Sequence, residues 1–83
     1  MHELAITQDL VDLVAERTAG RQVVAVNVRV GTESGIVPDS MVFSFDVVTL
    51  ETPLEGARLV IEEVEGNDLS LVSVELVKEE SCA

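Results

Sequence analysis

The chain has 83 residues, of which 47% are hydrophobic, and 16 acidic against 5 basic residues give it a formal net charge of −11. That length accommodates one domain and one core, and the apolar content is above that of a disordered acidic tail. Arg17, Arg21, Arg29, Arg58 and Lys78 are scattered singly, which excludes the clustered cations that nucleic acid or an anionic membrane surface requires.

At the start of the chain, Met1-His2-Glu3 places an imidazole one residue behind an α-amine. The amine, the His2 backbone nitrogen and His2 Nδ1 can close a five-membered and then a six-membered chelate ring around one ion, leaving a coordination position open. A nitrogen-rich planar set suits Ni(II) or Cu(II), whereas structural zinc calls for a tetrahedron of four ligands. From Glu3 to Ala19, Ile6, Leu10, Leu13, Val14 and the stem of Arg17 recur at steps of three and four, which is helical spacing. Leu4 and Val11 widen the stripe, Glu3 suits the positive end of a helix, and Gly20 suits its termination. The arm Met1-His2 is thereby predicted to sit at the amino-terminal end of the first helix.

Val24, Val26, Val28 and Val30 alternate with Ala25, Asn27 and Arg29 up to Gly31, predicting a half-buried strand over residues 22–30. Residues 32–37 read as a loop, and Pro38-Asp39 suits the first turn of a second helix. The run from Met41 to Leu50 fits both periods, since Met41, Phe43, Phe45 and Val47 alternate while Met41, Phe45 and Val48 form a helical stripe. The opening proline and the length of the run favour helix. Thr52-Pro53-Leu54-Glu55-Gly56 is a turn. Residues 58–65 and 69–78 are β-rich runs, joined through Gly66-Asn67-Asp68 in what reads as a hairpin. On the second run Val72, Val74 and Leu76 share one face, with Leu69 and Leu71 on the other. Only Phe43 and Phe45 are aromatic, so the core is expected to be mainly aliphatic. The order helix-strand-helix-strand-strand predicts an α+β fold, a three-stranded sheet with two helices on one face, in a single domain.

Met1-His2-Glu3-Leu4, followed by this element order, resembles the start of the HypA family of nickel metallochaperones for hydrogenase maturation. Val28-Arg29-Val30-Gly31, Val37-Pro38-Asp39-Ser40-Met41 and Phe43-Ser44-Phe45-Asp46-Val47-Val48-Thr49 are similar to that family's strand, glycine and second helix. Leu54-Glu55-Gly56-Ala57-Arg58-Leu59 through Val64, and Leu71 to Leu76, resemble its last two strands, so the likeness covers nearly the whole chain. It implies Ni(II) bound at Met1, His2 and Glu3, by the His2 imidazole and neighbouring amino-terminal nitrogens, with Glu3 contributing through its backbone or as a nearby charge. It also implies delivery to the large subunit of a nickel enzyme, foremost a [NiFe]-hydrogenase, with a HypB-type GTPase as partner.

Two departures from the family pattern stand out. The family inserts a small zinc domain with two Cys-x-x-Cys pairs between its last two strands, whereas here only Gly66-Asn67-Asp68 separates them, and the one cysteine is Cys82. No structural zinc is therefore expected, and residues 1–83 are expected to form a single nickel-binding-type domain. The acidic residue that often precedes the family's second-helix proline is replaced by Val37, removing an expected carboxylate close to the metal.

An enzyme is not expected: there is no second histidine, no tyrosine and no phosphate-cradling glycine loop, and the chain's serines lack a further histidine as base. The pairs Glu62-Glu63 and Glu79-Glu80 read as a solvated strand edge and tail. No signal peptide and no membrane-spanning stretch is recognisable, giving a cytoplasmic expectation. The alternative function is a metal-free interaction or scaffold module that keeps the family fold. Net charge favours a monomer, with a strand-exchanged dimer as the other possibility.

Overall fold

The computed structural model describes residues 3–77. Helix α1 spans Glu3–Arg17, strand β1 Val23–Gly31, helix α2 Pro38–Val48, strand β2 Arg58–Val64 and strand β3 Leu69–Leu76, the order expected from the sequence. Among the described residues no helix is long and apolar enough to cross a membrane.

In α1 the buried positions are Glu3, Thr7, Leu10, Val11 and Val14. The stripe is rotated from the expected one: Leu4, Leu13 and Arg17 are exposed, and Thr7 lies at its centre. Thr7 can be buried because its hydroxyl donates to the Glu3 carbonyl one turn back, leaving no polar atom unsatisfied. The helix closes with Ala19 N–H donating to Glu16 O and Gly20 N–H to Ala15 O, at 3.3 and 3.2 Å, the paired bonds of a Schellman motif. The first left-handed residue of that motif is Ala19, at φ 54°, rather than the glycine after it. Ala19→Gly is therefore expected to stabilise the protein by about 1 kcal/mol, raising the melting temperature by about 4–8 °C. An unchanged or lowered midpoint in a thermal scan would contradict this.

Helix α2 opens on Pro38 and buries Met41 and Phe45, while Phe43 points outward, so the helical stripe and not the alternating one is realised. Because α1 leads into β1 through residues 18–22 and β1 into α2 through residues 32–37, each short connection reverses the chain. The two helices consequently lie side by side with their amino-terminal ends together, and Val37 N–H donates to Glu3 Oε2 at 3.1 Å.

The sheet order is β2-β1-β3. A strand followed by a helix and a second strand pairs parallel, and β1 pairs parallel with β2 across α2. Strand β3 then pairs antiparallel with the other side of β1. The expected hairpin is therefore absent: β2 and β3 flank β1, and residues 65–68 cross over the end of β1. Gly31 N–H donates to Asp68 O, Thr32 N–H to Val64 O and Glu33 N–H to Gly66 O, at 2.7, 2.8 and 2.7 Å. At Gly31 a Cβ would stand 2.2 Å from the Gly66 carbonyl oxygen, so the crossing requires glycine there.

Register irregularities reset two faces. Between Val23 and Ala25 the pairing with β3 shifts, so Val23 is buried and Val24 exposed, before Val26, Val28 and Val30 take up the core face. In β3, Ser73 pairs with Asn27 but Leu71 pairs with Val28, leaving Val72 as an extra residue on the bulged strand. Leu69, Leu71, Val74 and Leu76 thus all pack on the core and Val72 is exposed, correcting the expected division of that strand. The core joins these side chains to Leu10, Val11 and Val14 of α1, Met41 and Phe45 of α2, and Leu54 of the turn before β2. The opposite face of the sheet carries polar pairs beside the exposed Val60: Asn27 Nδ2 donates to Ser73 Oγ and Glu75 Oε2, and Arg29 Nε to Glu62 Oε1.

Candidate functional site

Of the three residues expected to form the metal site, Met1 and His2 lie outside the described residues. Glu3 is placed in the first turn of α1 and is 7% exposed. Its carboxylate accepts from the Val37 amide, the residue that precedes Pro38 of α2. Glu3 thereby brings a carboxylate to the backbone of the residue before Pro38, whose own side chain is apolar.

The Glu3 carboxyl is pulled down from an ordinary 4.5 to about 2, first by the chain's α-ammonium, then by hydrogen bonds from the backbone N–H groups of Val37 and of Glu3 itself, against an opposing effect of burial. A depressed carboxyl pKa contributes stability that is full above the unfolded value and is lost as pH falls through the folded one. In metal-free protein the stability gap between the native chain and Glu3→Gln is accordingly expected to hold between about pH 5 and 7, below the titration of the α-amine, and to shrink between about pH 4.5 and 2. Denaturant unfolding at stepped pH checks this, and a gap independent of pH over that range would contradict it.

Beside Glu3 is an open hollow of about 400 Å³, lined by Glu3 and Leu4 of α1 and by Asp39, Ser40, Phe43 and Ser44 of α2. It lies where two helix amino termini meet, each carrying a partial positive charge that favours carboxylates and disfavours a bare cation. Glu3 and Asp39 occupy the two first turns and offset that field. Among the described residues no group of three or more His, Cys, Asp or Glu gathers into a metal-holding cluster. The arrangement is an open, charged rim shared by the starts of two helices.

Asp39, Ser40 and Phe43 were not expected in this neighbourhood from the sequence. The signal was nevertheless present, because two helices entering and leaving one strand through short connections must start at the same end of it.

Residues 1–69 match the family model described as "HypA: Hydrogenase/urease nickel incorporation, metallochaperone, hypA". The chain is 50% identical over 66 residues to the hydrogenase maturation factor HypA of Geobacter metallireducens, a match covering 80% of this chain and 60% of that protein. It is 49% identical over 67 residues to the HypA of a Roseiflexus species, covering 77% of this chain and 54% of the relative. The matched region thus spans little more than half the length of these curated relatives. In fold the chain is similar to the solution structure of the Ni metallochaperone HypA from Helicobacter pylori, with a TM-score of 0.78 at 19% identity over 95% of this chain and 100% of that one.

Proposed function

This chain belongs to the HypA family, and from that premise we propose that it carries Ni(II) on its amino-terminal arm and gives it up during maturation of a nickel enzyme, foremost a [NiFe]-hydrogenase. The observation that supports this reading is the seating of Glu3. Buried and tied to the Val37 amide, it anchors the chain one residue after His2, at a rim shared by two helix starts. The ligands would be the α-amine of Met1, the imidazole of His2 and neighbouring backbone nitrogens, with the Glu3 carboxylate as a nearby negative charge. Two positive helix ends weaken the hold on a cation and the carboxylates restore part of it, which suits an ion that is to be transferred and not stored. The acceptor is the enzyme's large subunit, with a HypB-type GTPase as partner, in the cytoplasm. No reaction is catalysed in this scheme.

Residues 1–83 act as one domain, with residues 65–68 in place of the zinc module that the family carries. Two observations support that assignment: the family match ends at residue 69, the first of β3, and the crossing is closed tightly onto Gly31 by its three backbone hydrogen bonds.

Binding must displace a proton from the α-amine, whose free pKa is about 7.7 to 8.0, and a further one from any amide nitrogen that coordinates. Calorimetric titration of metal-free protein should therefore give about one Ni(II) per chain, with affinity rising about tenfold per pH unit for each proton displaced, below the amine pKa. The absence of binding would favour the metal-free scaffold instead, and an affinity flat with pH would remove the α-amine from the ligand set.

A further inference from the structure

Helix α2 leaves an apolar surface uncovered. Phe43 and Val47, one turn apart, lie on the side away from the buried Met41 and Phe45, Leu50 is exposed just past the end of the helix, and Leu4 of α1 lies across the hollow from Phe43. Phe43 is 70% exposed, Leu50 57% and Leu4 54%. Isolated exposed apolar residues are ordinary, but a grouped set centred on an aromatic ring is the mark of an interaction site. The contrast with Phe45, fully buried two residues later, shows that the core does not use the Phe43 ring.

The charge around this surface selects its occupant. Asp39 and Asp46 lie on the same side of the helix as Phe43, at steps of four and three, and Glu3 bounds the hollow. Neither α2 nor the chain before Arg17 contains a lysine or arginine. A second copy would bring two acidic surfaces of a −11 chain together, and an anionic lipid surface would be repelled in the same way.

We propose that this face docks a basic amphipathic helix of a partner protein, its apolar side chains against Phe43, Val47 and Leu4 and its lysines or arginines facing Asp39 and Asp46. Helix-in-groove recognition reads apolar anchors at steps of three and four, the spacing offered here, and an exposed aromatic side chain at the centre is the usual energetic anchor. The inference rests on the carrier reading for its purpose: the surface begins at Glu3, next to the amino-terminal arm, so a partner held on it is positioned to receive or supply the ion.

The probe is a synthetic helix of about five turns with leucines at helical spacing and lysines elsewhere, beside a counterpart with glutamates in place of the lysines. Each is titrated into isotope-labelled, metal-free protein by NMR. The lysine peptide is expected to shift the amides of Leu4 and residues 39–50, with an affinity that falls as salt rises. Phe43→Ser should weaken it at least about tenfold while leaving the thermal midpoint nearly unchanged, because the ring is exposed. Asp46→Asn should flatten the salt dependence. The proposal is overturned if the shifts map to the outer face of the sheet, if Phe43→Ser binds within about twofold of the native chain, or if the glutamate peptide binds as well. It is equally overturned if sedimentation finds a dimer that Phe43→Ser dissolves, which would give the face to a second copy, or if anionic vesicles bind and the peptide does not. Metal-free protein keeps the two readings separate: loss of nickel binding alone would sink the carrier, and loss of peptide docking alone would sink this surface.

Discussion

Gly31→Ala is expected to destabilise the protein by about 3 kcal/mol, a large part of the stability available to a domain of this size. The added methyl would stand 2.2 Å from Gly66 O, 2.5 Å from Gly66 C and 2.8 Å from Asn67 N. These are backbone atoms, so no side-chain rotation makes room. Relief requires lifting residues 65–68 off the end of β1, which breaks the bonds Gly31–Asp68, Thr32–Val64 and Glu33–Gly66 and loosens both edge strands where they join. Gly35→Ala is the control. Its backbone is left-handed, at φ +81°, but open space surrounds it, so it bears only the conformational cost of about 1–2 kcal/mol. Denaturant unfolding of the two variants separates a steric requirement from a conformational one. A smaller loss for Gly31→Ala than for Gly35→Ala would show that the crossing is not the tight point of the fold.

The second large effect concerns the arm. His2→Ala and a version acetylated at the Met1 amine are each expected to lower nickel affinity by on the order of 100-fold. The substitution removes the ring nitrogen. Acetylation keeps His2 but turns the α-amine into an amide nitrogen with no free amine beside it, so it tests the chelate rather than the histidine. Circular dichroism should be unchanged in both, since neither replaces a residue of α1 or of the core. If the acetylated chain binds as tightly as the native one, nickel is held at His2 by some other set of ligands. Copper follows the same geometry with higher intrinsic affinity, and both variants should lose it in parallel.

The elements were legible because their signals are local. The opening Pro38 and the Met41–Phe45–Val48 stripe identified α2, and the valine alternation identified β1. What the sequence concealed was the phase of the faces. Thr7 reads as polar, yet it is buried because it bonds its own helix, and this rotates the α1 stripe away from Leu13 and Arg17. The bulge at Val72 carries no glycine or proline to mark it, although a one-residue shift moves every following side chain to the other face. Gly66-Asn67-Asp68 looks like a hairpin turn because turn chemistry does not report whether the two strands it joins are neighbours or separated by a third. For the candidate site, Glu3 was legible from its place in the first helical turn. Its bond to Val37 depends on the meeting of two helix ends far apart in the chain, and Asp39 and Phe43 enter the neighbourhood by the same route.

The most direct test of the amino-terminal chelate is the absorption spectrum of untagged protein with Met1 at its amino terminus, given one equivalent of Ni(II) at mildly alkaline pH. Planar nitrogen coordination predicts the visible band of a low-spin, diamagnetic ion, appearing as the amine and amide protons are released. A spectrum indistinguishable from that of aqueous or octahedral Ni(II) would contradict it.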